Sequence, residues 1–208
     1  DDVLIGGAGA DVLDGGEGND TVSYVTSKRG VNVDLELGIG RLGDAAGDTY
    51  LSIENVIGSN AADIIVGDAS DNELCGLAGD DILSGGAGDD LLEGGAGFDL
   101  LTGGAGADVF YFADPNSGAD VITDFSAADG DLIRISKAGF GISATDFWNY
   151  LDVGTGVAAS ASGHGQFLFD TNSSQLFWDT DGAGIQSPAL IATLLNVHEL
   201  TLAHFDFV

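Results

Sequence analysis

A nine-residue period governs what this chain can fold into. From Gly76 it reads GLAGDDILS, GGAGDDLLE, GGAGFDLLT and GGAGADVFY, four consecutive units ending at Tyr111. A unit this short cannot bury a core of its own, so copies must stack on one another and the architecture is a solenoid. The same frame extends upstream as GSNAADIIV from Gly58 and GDASDNELC from Gly67. At the N-terminus it gives a truncated DDVLI, then GGAGADVLD from Gly6 and GGEGNDTVS from Gly15. Position six is acidic at Asp2, Asp11, Asp20, Asp63, Asp81, Asp90, Asp99 and Asp108, with Asn72 standing in once. Position eight is large and apolar at Leu4, Leu13, Val22, Ile65, Leu74, Leu83, Leu92, Leu101 and Phe110. Low-complexity glycine drift would not hold two chemically opposite positions in one register.

Glycines at positions one, two and four permit backbone conformations that a side chain forbids, so six residues can turn tightly and aim carbonyl oxygens inward. The next three residues form a short strand whose alternation sends position eight inward and positions seven and nine outward. Two half-turns close one coil of 18 residues, which predicts two parallel sheets facing across a thin apolar row. Turn n then stacks on turn n+2, one strand spacing away, and carboxylates fall into columns: Asp63, Asp81 and Asp99 on one edge, Asn72, Asp90 and Asp108 on the other. Carboxylates so close repel unless a cation sits between them. The donors on offer, carboxylate and carbonyl oxygen, suit Ca²⁺ over zinc or copper.

These units resemble the glycine-rich nonapeptides of the repeats-in-toxin (RTX) proteins, over roughly residues 1–136. The resemblance implies an all-β fold, a parallel β-roll, with several Ca²⁺ ions held between turns by position-six side chains and glycine carbonyls. Carried onto this sequence, the ligands would be Asp2, Gly7, Gly9, Asp11, Gly16, Gly18, Asp20, Asp63, Asn72, Gly79, Asp81, Gly86, Gly88, Asp90, Gly95, Gly97, Asp99, Gly104, Gly106 and Asp108. Gly86, Gly88, Asp90, Gly104, Gly106 and Asp108 would frame one site, and Gly79, Asp81, Gly95, Gly97 and Asp99 another. NSGADVIT continues the frame and adds Asp120, and TDFSAADGDLIRIS follows the family's closing pattern with Asp124 and Asp131. Asn72 is a neutral ligand, and the turn at Gly58 lacks most of its glycines, so ions there should be weak or missing.

Composition agrees. Asp and Glu number 34 against five Lys and Arg, a formal charge of −29, which excludes nucleic acid as a partner and favours cations. Such acidity alone reads as disorder, yet the chain is 44% hydrophobic. Both fit a chain expanded without calcium and folded with it, because ligation present only in the fold adds to folding free energy. Extracellular modules bind calcium at about 10⁻⁴ to 10⁻³ M, empty in cytosol and filled outside. The expected location is therefore secreted and extracellular. A single cysteine, Cys75, rules out an internal disulfide framework, and no apolar run is long enough to span a membrane. The start inside a repeat suggests a fragment, and the family places a passenger domain N-terminally and a signal for type I secretion machinery at the C-terminus.

Residues 23–57 break the period. Alternation at Val31, Val33, Leu35 and Leu37 predicts a strand, and a repeat-like rhythm returns with Gly43, Asp44 and Asp48. We read an insertion with a hairpin on a roll spanning 1–136. Lys28, Arg29 and Arg41 gather there, as a solvated loop or as a polyanion contact. Residues 137–208 are expected to form a β-rich cap that carries the secretion signal. Aromatics are dense at Phe140, Phe147, Trp148, Tyr150, Phe167, Phe169, Phe177 and Trp178; QFLFD and QLFWD flank TNSS as a hairpin, and IATLLNV is a strand. Asp179, Asp181 and Gly182 read as a plain turn, since no Glu completes a calcium loop. The tail LTLAHFDFV predicts a short helix after Thr201 and a final strand, or an export signal resembling the family's.

No active site emerges. His198 and His204 are six residues apart and cannot share a helix face as a zinc protease requires; His164 lies in a glycine-rich loop, and no phosphate loop or nucleophile elbow is present. The chain is expected to be non-catalytic: a calcium-binding secretion and stabilisation module, like those of serralysin-type proteases and lipases. The alternative is a calcium-dependent carbohydrate-binding or adhesion module for a polysaccharide, like the repeat modules of alginate epimerases. Position seven is apolar at Ile64, Ile82 and Leu100, and Leu91 and Val109. Such a ridge on an open sheet is a liability, so the first three are expected to pack against the cap, the insertion or a passenger.

Overall fold

The computed structural model describes residues 1–142, 151–156, 165–181 and 187–208. Phe147, Trp148, Tyr150, His164 and Gly182 lie outside the described residues. Among the described residues two sheets carry the fold, and helix is confined to the 3-10 turns Gly43–Ala45 and Leu202–His204. The protein is a parallel β-roll.

The first sheet is parallel throughout, in the order Val3–Leu4, Thr21–Ser23, Asn55–Ile57, Glu73–Cys75, Leu91–Glu93, Val109–Phe112, Leu132–Ile135, Phe205–Phe207. The second holds the alternate rungs Ile64–Val66, Ile82–Ala87, Leu100–Ala105 and Asp120–Ile122 at its centre. Register between rungs is one full coil: Leu92 lies beside Leu74 and Phe110, and Leu83 beside Ile65 and Leu101. Position eight points inward on both sheets, and Val22, Ile65, Leu74, Leu83, Leu92, Leu101 and Phe110 are fully buried.

Glycine makes this stacking distance possible. Gly97 holds φ +153°, and a Cβ on it would lie 1.7 Å from the carbonyl oxygen of Gly79, so no side chain fits where one turn rests on the next. Leu77 occupies a position-two place at φ +76°, a left-handed conformation that costs a branched residue about 1 to 2 kcal/mol.

Residues 23–57 are threaded through the roll. Asn32–Asp34 and Ile39–Arg41 form an antiparallel hairpin, and the first of these pairs in parallel with Ile64–Val66. Thr49–Leu51 pairs with Val12–Asp14, and Asn55–Ile57 sits between Thr21–Ser23 and Glu73–Cys75. Val31, Val33 and Leu35 fill the core, and Leu37 is exposed at the hairpin turn.

At the other end, Ala189–Leu194 extends the second sheet from Asp120–Ile122, and Phe205–Phe207 extends the first from Leu132–Ile135. Gln166–Asp170 and Gln175–Asp179 form the antiparallel hairpin read around TNSS. Phe167 anchors the aromatic cluster there, with ring centroids 4.7 Å from Trp178 and 5.5 Å from Phe140 and Phe205. The tail forms a 3-10 turn and a last strand, tied by an Arg134–Asp206 ion pair at 2.8 Å.

The apolar ridge is partly exposed among the described residues. Ile82 lies in register with Ile64 and Leu100, and the three are 44%, 37% and 39% exposed. Neither the threaded segment nor the described part of residues 137–208 covers them, because both join the roll edge to edge as additional strands and leave its faces open.

Leu92 is fully buried between two sheets only one residue layer apart, so the cavity left by Leu92→Ala cannot collapse. That variant is expected to lose about 3 kcal/mol of unfolding free energy, read by urea denaturation in saturating calcium.

Candidate metal centre

Each rung begins with its position-six side chain, held in place by the backbone of a neighbouring turn. The Asp81 N–H donates to Asp99 Oδ1 at 2.8 Å, Asp63 N–H to Asp81 Oδ1 at 2.7 Å, and Asp99 N–H to Asp120 Oδ1 at 3.0 Å. On the other edge Asn72 N–H donates to Asp90 Oδ1 at 2.8 Å, Asp90 N–H to Asp108 Oδ1 at 3.0 Å, and Asp108 N–H to Asp131 Oδ1 at 3.0 Å. Two carboxylate columns therefore run along the roll, one rung apart at each step.

The second oxygens are different. Oδ2 of Asp11, Asp20, Asp81, Asp90 and Asp99 is buried with no hydrogen-bond partner. In the turns of Asp81, Asp90, Asp99 and Asp108 that oxygen closes over the position-one glycine: a Cβ on Gly76, Gly85, Gly94 or Gly103 would come within 2.1 to 2.3 Å of it. Across the stack, carbonyl oxygens of Gly79, Gly86 and Gly88 stand where Cβ atoms on Gly97, Gly104 and Gly106 would be, 1.7 to 2.0 Å away. Among the described residues no three His, Cys, Asp or Glu side chains gather to chelate an ion by themselves. A donor set here must combine one or two carboxylates with backbone carbonyls, all hard oxygens, which is the chemistry of a Ca²⁺ site. An orphaned buried carboxylate oxygen is costly without a counter-charge, and the residues present fit that cation.

Electrostatics point the same way. Burial pushes the Asp81 carboxyl up to about 7, with the neighbouring Asp63 and Asp99 adding to it against a backbone hydrogen bond. Burial likewise raises Asp120 to about 8 and Asp108 to about 6, and moves Asp90, Asp99 and Asp131 upward.

The remaining sequence candidates divide. Gly7, Gly9, Gly16 and Gly18 hold the same positive φ as Gly86, Gly88, Gly95, Gly104 and Gly106 downstream. Asp2, exposed at the roll's first turn, donates its N–H to Asp20 Oδ1 at 2.5 Å. Asp63 and Asn72 stand in the columns but are satisfied by protein donors. Asp124 stands outside them: its oxygens accept the N–H groups of Gly103 and Gly104 at 3.0 and 2.9 Å, and Asp131 takes the place beside Asp108. The loop from Ser126 to Asp129 lengthens this turn and shifts the frame, so Asp124 is not a column member. Asp48, read from the sequence only as part of a repeat-like rhythm, and Glu54, which that reading did not single out, stand beside the columns, accepting the N–H groups of Asp11 and Asp20 at 2.9 and 2.8 Å. Their signal is an acidic residue two places before a buried Tyr50 or Val56. His198 is exposed, and His204 Nδ1 accepts the Thr201 N–H at 3.3 Å.

The RTX calcium-binding nonapeptide repeat matches the chain in four copies, over residues 1–23, 57–92 and 84–114. These segments are RTX calcium-binding repeats. Two solved structures are similar. The AlgE6R3 subunit of the Azotobacter vinelandii mannuronan C5-epimerase is 28% identical, covering 71% of this chain and 78% of its own, with a TM-score of 0.46. The AlgE6R2 subunit of the same enzyme is 25% identical, covering 68% and 91%, with a TM-score of 0.42. Among the described residues no helix is long and apolar enough to cross a membrane.

The raised carboxyls give a signed pH dependence. Asp108, Asp81 and Asp120 bind protons more tightly folded than unfolded, so in chelator the roll should lose stability as pH rises from about 4 through about 8. With calcium the trend should reverse, since the ion needs ionised ligands. Calorimetric melting at pH 5 and pH 8, with EDTA and with calcium, reads both slopes; parallel slopes would refute the assignment.

Proposed function

We propose that this RTX segment is a non-catalytic module that folds when Ca²⁺ fills the turns of Asp81, Asp90, Asp99 and Asp108. Outside the cell this would lock the roll and stabilise an N-terminal passenger after export by type I secretion machinery. The observation that carries this reading is the row of buried, unpartnered Oδ2 atoms, which at Gly76 and Gly85 share the position-one glycine with the carbonyl oxygens of Gly94 and Gly103 on the next coil. A chain with formal charge −29 that must bury carboxylates is held open by self-repulsion until a cation arrives. Calcium then supplies the counter-charge, and each ion contributes through its preference for the folded state. Asp11 and Asp20, with their own orphaned oxygens, would hold ions in the N-terminal block, joined by the carbonyls of Gly7, Gly9, Gly16 and Gly18.

Circular dichroism during a calcium titration tests this. A cooperative gain of β signal is expected, and Asp90→Asn should shift its midpoint upward by about tenfold, as expected from losing one charged ligand. A spectrum indifferent to calcium would end the proposal.

A second reading rests on a different surface. Thr26, Lys28, Arg29, Gly43 and Asp44 line a hollow of about 270 Å³, and Lys28 and Arg29 are exposed cations on a strongly acidic protein. Arg41 is drawn aside by Asp34 at 3.7 Å. Such a hollow suits one carboxylated residue of an acidic polysaccharide. In affinity electrophoresis with a polyuronate, retardation should be lost in a Lys28→Ala, Arg29→Ala double variant. Equal mobility of both proteins would remove this reading.

A further inference from the structure

Between the two blocks of orphaned carboxylates the N–H-to-carboxylate ladder is interrupted by the hairpin, and the four side chains at the column places there, Asp48 and Asp63 on one edge and Glu54 and Asn72 on the other, have protein partners in place of a cation. Asp48 is 1% exposed. Its Oδ1 accepts the Asp11 N–H at 2.9 Å, and its Oδ2 accepts the Tyr24 hydroxyl at 2.7 Å. That hydroxyl lies 2.6 Å from the Tyr50 hydroxyl, and both tyrosines are buried. Glu54 accepts the Asp20 N–H at 2.8 Å, and its carbonyl takes the Asn72 side-chain amide at 2.7 Å. Asp63 accepts three donors: Val31 N–H at 2.7 Å, Ser59 N–H at 2.6 Å and Ser59 Oγ at 2.8 Å. Asn72 brings no charge, and its Oδ1 accepts the Asp68 N–H at 2.8 Å.

Donor hydrogens thus point where the flanking turns present a bare oxygen. A buried carboxylate with its hydrogen bonds made needs no cation, and a cation placed against those hydrogens would be repelled. The same stretch has its own apolar fill, with Tyr24, Val31, Val33, Tyr50, Val56 and Ile65 buried.

We propose that the rungs closed by Asp48, Glu54, Asp63 and Asn72 form a calcium-independent seam that stays folded when the calcium turns on either side are empty. Calcium-dependent folding then proceeds in two blocks joined through this seam, residues 1–23 upstream and 76–112 downstream. The inference rests on the calcium reading for those flanking blocks. Burial and the adjoining Tyr50 and Asp48 push the Tyr24 phenol far upward, so its proton is retained through the working pH range.

Hydrogen exchange read by mass spectrometry on the whole chain tests it, in EDTA and in calcium. In EDTA, amides of residues 64–75 should exchange about tenfold or more slowly than those of 91–110, and calcium should close that gap. Tyr24→Phe, which leaves Asp48 Oδ2 bare, should abolish the difference in EDTA while leaving protection of 91–110 in calcium intact. Asp90→Asn should weaken the calcium effect at 91–110 and spare 64–75 in EDTA. Uniform loss of protection in EDTA, or no response to Tyr24→Phe, overturns the seam while leaving the calcium reading standing. Protection indifferent to calcium throughout overturns both.

Discussion

The hydrogen bond from one position-six N–H to the next position-six carboxylate is what the rest of this roll depends on. It recurs at one-coil intervals, from Asp63 through Asp81 and Asp99 to Asp120, and from Asn72 through Asp90 and Asp108 to Asp131. Each bond uses one carboxylate oxygen and fixes the rotamer of the side chain. The other oxygen is then aimed into the turn, and burial denies it water. Core, strand register and metal chemistry meet at that atom: the strand starts one residue later, and its middle residue is the one that fills the interior.

Three solutions are open to a buried carboxylate in this fold. A proton is one, which burial favours at Asp120 by raising its carboxyl. Donor groups of the protein are another, at Asp48 and Asp63. A cation is the third, and it suits the turns in which glycine carbonyls rather than hydroxyls or amides face the gap. Which solution applies is decided by neighbours, not by the carboxylate. Ser59 replaces a position-two glycine and supplies two donors to Asp63; Tyr50 occupies the inward place after Asp48 and brings a hydroxyl into the core.

Much of this was legible from spacing. Inward position eight, the one-coil register and the two columns all follow from a period that keeps opposite chemistries in phase, and Leu74, Leu83, Leu92 and Leu101 are buried as that phase requires. Residues 23–57 were less legible because the period there survives only in part. Asp48-Thr49-Tyr50 and Glu54-Asn55-Val56 keep the acid and the inward residue, while of the position-one, -two and -four glycines that announce a turn only Gly43, before Asp48, remains. The first of those rungs, Thr49–Leu51, is joined to Asn32–Asp34 by an antiparallel strand, Ile39–Arg41, which no nine-residue frame anticipates. Asp124 and Asp131 both come from the resemblance to the family's closing pattern and not from the nine-residue spacing; the longer turn puts Asp131 beside Asp108 and leaves Asp124 accepting the N–H groups of Gly103 and Gly104.

The exposed ridge of Ile64, Ile82 and Leu100 follows from the same geometry. A roll only two strands thick has one interior layer, so position seven faces solvent whatever residue it carries. Additional strands can join such a fold only at its ends, since the sheet faces offer no unpaired backbone groups. The C-terminal strands do this at one end, pairing with Asp120–Ile122 and Leu132–Ile135. Covering a face instead would take a layer packed through side chains. The described C-terminal aromatics do not form that layer, because Phe167, Trp178 and Phe205 pack on one another and close the last coil.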